Sequence, residues 1–309
     1  MGRINWPLYN RALVARGAIH MWFDEEIAND WYADPLEHIG KRGEPFIYSN
    51  KAITALGVIR SRFGLTLRET EGFAMALAKL MGMQISIPCY STIGRRLGSL
   101  KIDIESVAPE DTVHVVVDSS GLKVYGEGEW KVRIHGKTKR RTWRKVHLAV
   151  DESNDQILSV VFSENSFKDS EVFVDLVEQI DANIEQTTGD GAYDDKTCYG
   201  WAETNGVNGV FPPRRGAKIT QHGNDQAKPR QRDEHIRGMR EVGRKQWKKD
   251  ANYHRRSIAE TAMYRFKVLT GDRLASRKFE NQASEVFLRC KILNRMPTPR
   301  GLQATAVPG

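Results

Sequence analysis

The run His114-Val115-Val116-Val117-Asp118 places three consecutive β-branched side chains before an acid. Valine is stiff at χ1 and packs well on a pleated surface, so the run reads as a short buried strand. An ionised carboxylate at its end is expensive unless it emerges at the sheet edge or meets a cation. Moving outward toward the C terminus, Trp143–Asp151 and Gln156–Phe162 have strand composition, and Asn154-Asp155 supplies a turn between them. An amphipathic helix follows, with Phe173, Val174, Leu176, Val177 and Ile180 as its apolar set. Another short strand leads into Thr188-Gly189-Asp190-Gly191-Ala192-Tyr193, followed by a helix near 194–204 and a strand at Val210-Phe211. Strands first, then strand and helix in alternation, predict an α/β fold with a mixed sheet flanked by helices.

Toward the N terminus the pattern becomes helical. Leu56, Ile59 and Phe63 share one face of a helix that Gly64 ends. Thr66-Leu67-Arg68-Glu69 has capping-box form and opens a helix with Leu67, Thr70, Phe73, Ala74, Leu77 and Met81 inward. Gly82 and Pro88 bound a loop, and Ser91 can cap a last helix through Leu97 that displays Arg95 and Arg96. The trio is helix-turn-helix-like, although its eight-residue connection exceeds the tight turn of that motif; a plain helical packing unit satisfies the same pattern. The organisation expected is therefore an irregular, aromatic-rich segment over 1–50, a helical DNA-binding domain over 51–110, and the α/β domain over 111–295. That last domain contains a polar, basic loop at 212–234 and helices at 235–250, 253–269 and 280–294. Residues 296–309, with three prolines, read as a disordered tail.

Bulk properties narrow the functional classes. The chain has 309 residues, 40% hydrophobic and 28% charged. It shows no apolar run of bilayer length and no secretory layout at its start, so no membrane role is expected. Cys89, Cys198 and Cys290 are scattered singly, without a Cys-x-x-Cys pair, which argues against a disulfide framework or zinc knuckle and for a reducing cytoplasm. The formal charge is +8, and it is concentrated centrally. Residues 121–147 carry nine Lys/Arg against two acids, and residues 212–250 carry twelve against five. Such clusters favour a polyanionic partner, with Lys137, Lys139, Arg140, Arg141 and Arg144 the leading phosphate contacts; solvated loops are the competing account. Trp130, between Glu129 and Lys131, can stack on a base, though a tryptophan in a hairpin more often packs.

Three acids stand apart by context. Asp118 ends its strand, Asp190 lies between two glycines, and Glu260 sits within Tyr253-His-Arg-Arg256-Ser-Ile-Ala-Glu260-Thr-Ala-Met-Tyr-Arg-Phe-Lys267. Seven helical residues return to within ~20° of the starting direction, so Tyr253, Glu260 and Lys267 form one stripe. Arg256 lies beside Glu260, and Ile258, Ala262, Phe266 and Leu269 fall opposite. A carboxylate between cations suits a site where metal and phosphate charges meet, while an exposed face with one ordinary Glu–Arg pair has the same spacing. Three carboxylates are what two divalent ions ~4 Å apart require to activate an attacking hydroxyl and stabilise a departing oxygen at phosphorus. Without metal, such acids repel one another and their pKa values rise.

The spacing Tyr253-x2-Arg256-x3-Glu260-x6-Lys267 resembles the signature around the glutamate of bacterial insertion-sequence transposases of the DDE type. Asp118 in Val-Val-Asp-Ser-Ser-Gly-Leu-Lys and Asp190 in Gly-Asp-Gly-Ala-Tyr-Asp look like that family's first and second aspartates. Gly126-Glu-Gly-Glu-Trp130-Lys-Val-Arg-Ile-His-Gly136 is similar to its insertion sequence five branch. The resemblance implies a ribonuclease-H-like catalytic core and metal-dependent DNA strand cleavage and strand transfer. Asp118, Asp190 and Glu260 would hold two Mg²⁺ ions, with Mn²⁺ as a substitute. It also implies an N-terminal domain reading terminal inverted repeats, target DNA as second partner, and a dimer or larger assembly at the bacterial nucleoid. On this reading Tyr253, Arg256 and Lys267 join Arg95 and Arg96 as DNA contacts. Two alternatives stand beside it: a nuclease or resolvase of the same fold without strand transfer, and a DNA-binding regulator whose acids are structural.

Overall fold

The computed structural model describes residues 5–19, 22–23, 25–40, 43–106, 112–124, 142–221 and 228–296. The chain divides into two compact units. One gathers the N-terminal helices with residues from Val268 onward, and the other runs over Ser106–Lys123 and Thr142–Lys267.

The second unit is built on five strands: β1 (Val113–Val124), β2 (Trp143–Asp151), β3 (Ile157–Glu164), β4 (Ile184–Thr188) and β5 (Asn208–Val210). Their order is β3-β2-β1-β4-β5. β2 is antiparallel to β1 and β3, whereas β4 runs parallel to β1 and β5 parallel to β4. A three-strand meander followed by two parallel strands is the ribonuclease-H-like arrangement that the resemblance implied. The β2–β3 turn is made by short polar side chains: Asp151 Oδ1 accepts from the Ser153 amide, Asn154 Oδ1 from the Gln156 amide, and Asp155 takes a left-handed φ of 65°. Parallel strands need helical crossovers, here α5 (Asp169–Val177) and α6 (Lys196–Thr204). Val113, Val115 and Val117 alternate onto the face where Phe173, Leu176, Tyr193 and Phe211 are buried. Val116, pointing the other way, is buried as well, so β1 is covered on both faces.

Two helices complete this unit. In α7 (Gln231–Asp250), Gly243 interrupts the helix with φ 80° and ψ 152°. α7 begins inside the stretch expected to be loop, because buried Asp233 accepts the amides of Thr220 and Gln221 and draws the loop onto the helix. α8 (Ser257–Thr270) starts later than periodicity suggests; Tyr253–Arg256 forms a separate 3-10 turn.

The helical unit contains α1 (Trp6–Ala15), α2 (Asn50–Phe63), α3 (Leu67–Leu80), α4 (Tyr90–Leu97) and α9 (Phe279–Arg295). Residues 1–50 are thus partly ordered rather than irregular throughout: Asn5 caps α1, and short 3-10 turns lie at Glu25–Ala28 and Pro35–His38. Gly64 ends α2 with φ 66°, and Thr66 and Glu69 form the reciprocal capping box. Phe63 is 41% exposed and leans on Phe73 instead of turning inward. Cys89, not Ser91, occupies the N-cap of α4, and the Ser91 hydroxyl lies 3.2 Å from the Cys89 sulfur. The boundary expected at 111–295 also changes, because α9 packs against α2 and α4. Val286, Leu288, Ile292 and Leu293 are buried, and a Cβ on Gly57 of α2 would lie 2.7 Å from Leu288. Lys291 Nζ donates to the Asp103 carbonyl and pairs with Glu105, which also takes Arg295. Among the described residues, no helix is long and apolar enough to cross a membrane.

Candidate active site

The β1–β4 register pairs Val116 with Thr188. Two residues further along each chain come Asp118 and Asp190, on adjacent strands ~4.8 Å apart. Asp118 does not end its strand as expected but lies midway along β1, which continues to Val124 in register with β2, whereas Asp190 lies just past the end of β4. Asp118 is half-buried and accepts the Ser119 amide at 2.9 Å. Asp190 is extended and caps the turn Gly191–Tyr193, accepting the Ala192 amide at 2.8 Å. The glycine before it has a packing cause: a Cβ on Gly189 would stand 2.6 Å from the Tyr193 ring and 3.0 Å from Val117. Tyr193 is therefore wedged beneath the end of β4 and the middle of β1. At Gly191 a Cβ meets nothing closer than the Pro212 carbonyl at 3.6 Å, so folding alone does not demand glycine there.

Glu260 lies in the first turn of α8 and is about half exposed, with its carboxylate paired to Arg256. Arg256 comes from the preceding 3-10 turn, which Arg255 ties to the β2–β3 turn through Glu152 at 2.6 Å. One electrostatic neighbourhood joins these groups. Burial pushes the Asp118 pKa up to about 6, Asp190 and Glu260 add to the push, and the Ser119 amide and Arg256 oppose it. Behind the two aspartates, the Tyr193 hydroxyl is buried without a hydrogen-bond partner among the described residues. Burial and then the carboxylates of Asp169, Asp118 and Asp190 hold its pKa well above the ordinary phenol value. His147 on β2 bonds Ser163 at 2.9 Å and lies 3.7 Å from Asp169. Sequence reading missed Asp169, His147 and Tyr193 as neighbours of the acids, because only the fold brings β2, α5 and the 190–193 turn together. Asp194 was also overlooked; it is buried and forked by Arg232 at 2.6 and 3.2 Å, which marks it as structural.

The donor set suits a hard divalent cation. It is all carboxylate oxygen, and Asp118, raised chiefly by burial and further by Asp190 and Glu260, is a carboxylate whose charged form a cation would favour. Among the described residues, however, no three His, Cys, Asp or Glu side chains are gathered into a ready metal cage, and Glu260 is turned to Arg256. Closing a site around all three acids requires Glu260 to exchange Arg256 for the metal.

The other expected contacts divide. Arg95 is exposed on α4. Arg96 is not displayed: it is 4% exposed, donates to the Tyr48 carbonyl at 3.0 Å and to Asn50 Oδ1 at 2.7 Å, and lies over Phe46. Its guanidinium is consumed in holding the segment before α2 onto α4, which corrects its assignment to DNA. Tyr253 is likewise buried, packing with Trp247 and Val210, because the 3-10 turn removes it from the Glu260 stripe. Lys267 remains on α8 with Glu260, half-buried two turns away. The Arg144 side chain is 18% exposed and lies 3.9 Å from Glu164, a poor posture for gripping phosphate. Trp130, Lys137, Lys139, Arg140 and Arg141 lie outside the described residues.

Residues 109–295 match a family described as transposase DDE domain, and residues 14–127 match a second family of the same description. Among solved structures, the chain is similar to a piggyBac transposase synaptic complex with hairpin DNA, at 9% identity and a TM-score of 0.39, covering 95% of this chain and 78% of that one. It is also similar to a Drosophila P element transposase strand transfer complex, at 9% identity and a TM-score of 0.31, covering 62% of this chain and 47% of that one. Likeness at these scores adds nothing to the domain matches.

Proposed function

This chain belongs to the DDE transposases, enzymes of DNA cleavage and transfer, and from that premise we propose that Asp118, Asp190 and Glu260 are its catalytic acids. The observation carrying this reading is the β1–β4 register, which brings Asp118, midway along β1, beside Asp190, just past the end of β4, within the field of Glu260 and Arg256. Asp118, Asp190 and Glu260 would hold Mg²⁺, or Mn²⁺ in its place. When bound, two such ions supply the charge that activates an attacking hydroxyl and stabilises a leaving oxygen at phosphorus.

The chain's own groups prepare that site. The Ser119 amide fixes one oxygen of Asp118, and the Ala192 amide fixes one of Asp190, leaving the second oxygen of each for a cation. Arg256 neutralises Glu260 in the metal-free protein and, once released, stands where a phosphate charge arrives. Lys267 lies two turns along the same helix as a second cation for DNA. The substrate in this proposal is the pair of terminal inverted repeats of an insertion sequence, of the insertion sequence five branch, synapsed by a dimer or larger assembly with target DNA.

The test is incubation of the protein with Mg²⁺ and DNA carrying the ends that flank its own reading frame. Asp118→Asn, Asp190→Asn and Glu260→Gln should each abolish cleavage and leave end binding largely intact; full activity in one variant removes that residue from the set. Joined 3′ ends distinguish a transposase from a nuclease or resolvase of the same fold. Cleavage alone excludes a regulator with structural acids.

A further inference from the structure

We propose that the groove where α4 meets the start of α9 grips the phosphate backbone of duplex DNA, an assignment that rests on the transposase reading. The groove lies wholly within the helical unit and has a volume of about 680 Å³. Four of its lining side chains are cationic: Arg60, Arg95, Arg277 and Lys278. Arg95, Arg277 and Lys278 are exposed, and no carboxylate among the described residues pairs with any of the three. Exposed Glu280 is set against them, whereas Glu285 is buried and engaged with Arg289 and the amides of Ala275 and Ser276.

Two exposed arginines on a helix mean little alone. Here, cations from segments some 180 residues apart in the chain are held together by specific polar contacts. Asn281 Nδ2 donates to the Gly94 carbonyl at 2.9 Å, and Ser284 Oγ donates to the Leu97 carbonyl at 2.6 Å. These contacts seat the first turns of α9 on α4. Gly98 permits the approach, since a Cβ there would lie 2.6 Å from Asn281 Oδ1. The segment bearing Arg277 and Lys278 is fixed from below. Glu285 accepts the Ala275 and Ser276 amides, and Gln282 Nε2 donates to the carbonyls of Ser276 and Arg277, both at 3.1 Å.

The backbone carrying the charges is thus ordered before any ligand arrives, so binding a polyanion costs little further loop ordering. A row of unpaired cations on a fixed backbone matches phosphates, which position a protein on DNA without reading its sequence. The start of α9 adds the positive end of a 17-residue helix to the same groove.

The experiment uses the full chain in EDTA with a fluorescent duplex of random sequence, titrated over a range of KCl concentrations. The triple variant R95Q/R277Q/K278Q should weaken binding and make the log–log salt slope shallower by about three, at about 0.9 per phosphate contact. The conservative R277K/K278R should keep the wild-type slope. Because both residues are exposed, the R277Q/K278Q double variant should melt like wild type and still lose about two from the slope. Wild-type affinity and slope in the folded triple variant overturn the groove assignment, and if wild type still cleaves its element ends with Mg²⁺, the transposase reading survives. A wild-type protein that neither binds duplex nor cleaves its ends overturns both.

Discussion

Burying a carboxylate midway along β1 costs the metal-free protein stability at neutral pH, because Asp118 ionises more easily in the unfolded chain. Its pKa rises from 3.8 to about 6, so the penalty is absent below pH ~4 and complete above pH ~6, at most about 3 kcal/mol. Asp118→Asn should therefore melt several degrees higher than wild type at pH 7.5 in EDTA, with the gain disappearing below pH ~4, by scanning calorimetry. Equal melting temperatures at pH 7.5 would show that burial of the Asp118 carboxylate carries no such cost. A second residue-scale expectation concerns Gly189. With Tyr193 fully buried against it, Gly189→Ala must push the ring or the strand end, at a cost of about 1–3 kcal/mol. Cleavage should fall more than stability, since the displaced strand end carries Asp190; unaltered cleavage would mean that the aspartate spacing tolerates the shift.

At the level of elements, local chemistry was readable and long-range partnership was not. The Val115–Val117 run, the Asn154-Asp155 turn, the Thr66–Glu69 capping box and the Gly64 stop all act within a few residues, and all stand where composition put them. Tyr253–Arg256 defeated periodicity because a 3-10 turn there lets Tyr253 enter the Trp247 cluster and Arg255 reach Glu152. Arg96 looked exposed beside Arg95 because its acceptors, Tyr48 and Asn50, lie more than 40 residues away. Asp118 stood out because an acid follows an apolar run, yet β1 continues past it to Val124, and the register that sets it beside Asp190 is a long-range property. α9 was legible as a helix but not as a neighbour of α2 and α4. It follows that a fragment of residues 1–110 should be poorly folded by circular dichroism, lacking the helix that packs on α2 at Gly57 and on α4 at Leu97. Leu288→Ala in the full chain should cost about 2–5 kcal/mol. A cooperative, sharply melting fragment would contradict this packing argument.

Across the whole molecule, buried His147 and half-buried His235 contribute to the response to acid. Burial lowers the pKa of His147 and of His235 from 6.5 to about 4, against the opposing pull of Asp169 on the first and Asp194 on the second. The unfolded chain takes up these protons near pH 6.5 and the folded chain only near pH 4. The histidines' contribution to stability is therefore full above pH ~6.5 and falls through the window between, by up to about 3 kcal/mol for each, opposing the smaller gain from Asp118 over pH ~6 to ~4. Denaturant midpoints should drop between pH 7 and pH 5, and His147→Gln should flatten part of that slope. A midpoint independent of pH across this window would contradict the burial of both rings as neutral species.

The seating of α9 on α4 has a consequence in time. On a ribosome, the chain from α1 to α4 emerges long before its covering helix, separated by about 180 residues, or on the order of 10–40 s of synthesis at ~5–20 residues per second. During that interval the groove cations of α4 stand without Arg277 and Lys278, and the apolar faces of α2 and α4 wait uncovered. An enzyme holding DNA in the way proposed is finished only when its late residues have been made, so products of early termination would not compete for its ends. Stalled nascent chains ending near residue 250 should fail to retain duplex DNA that chains extended beyond residue 295 and clear of the exit tunnel retain.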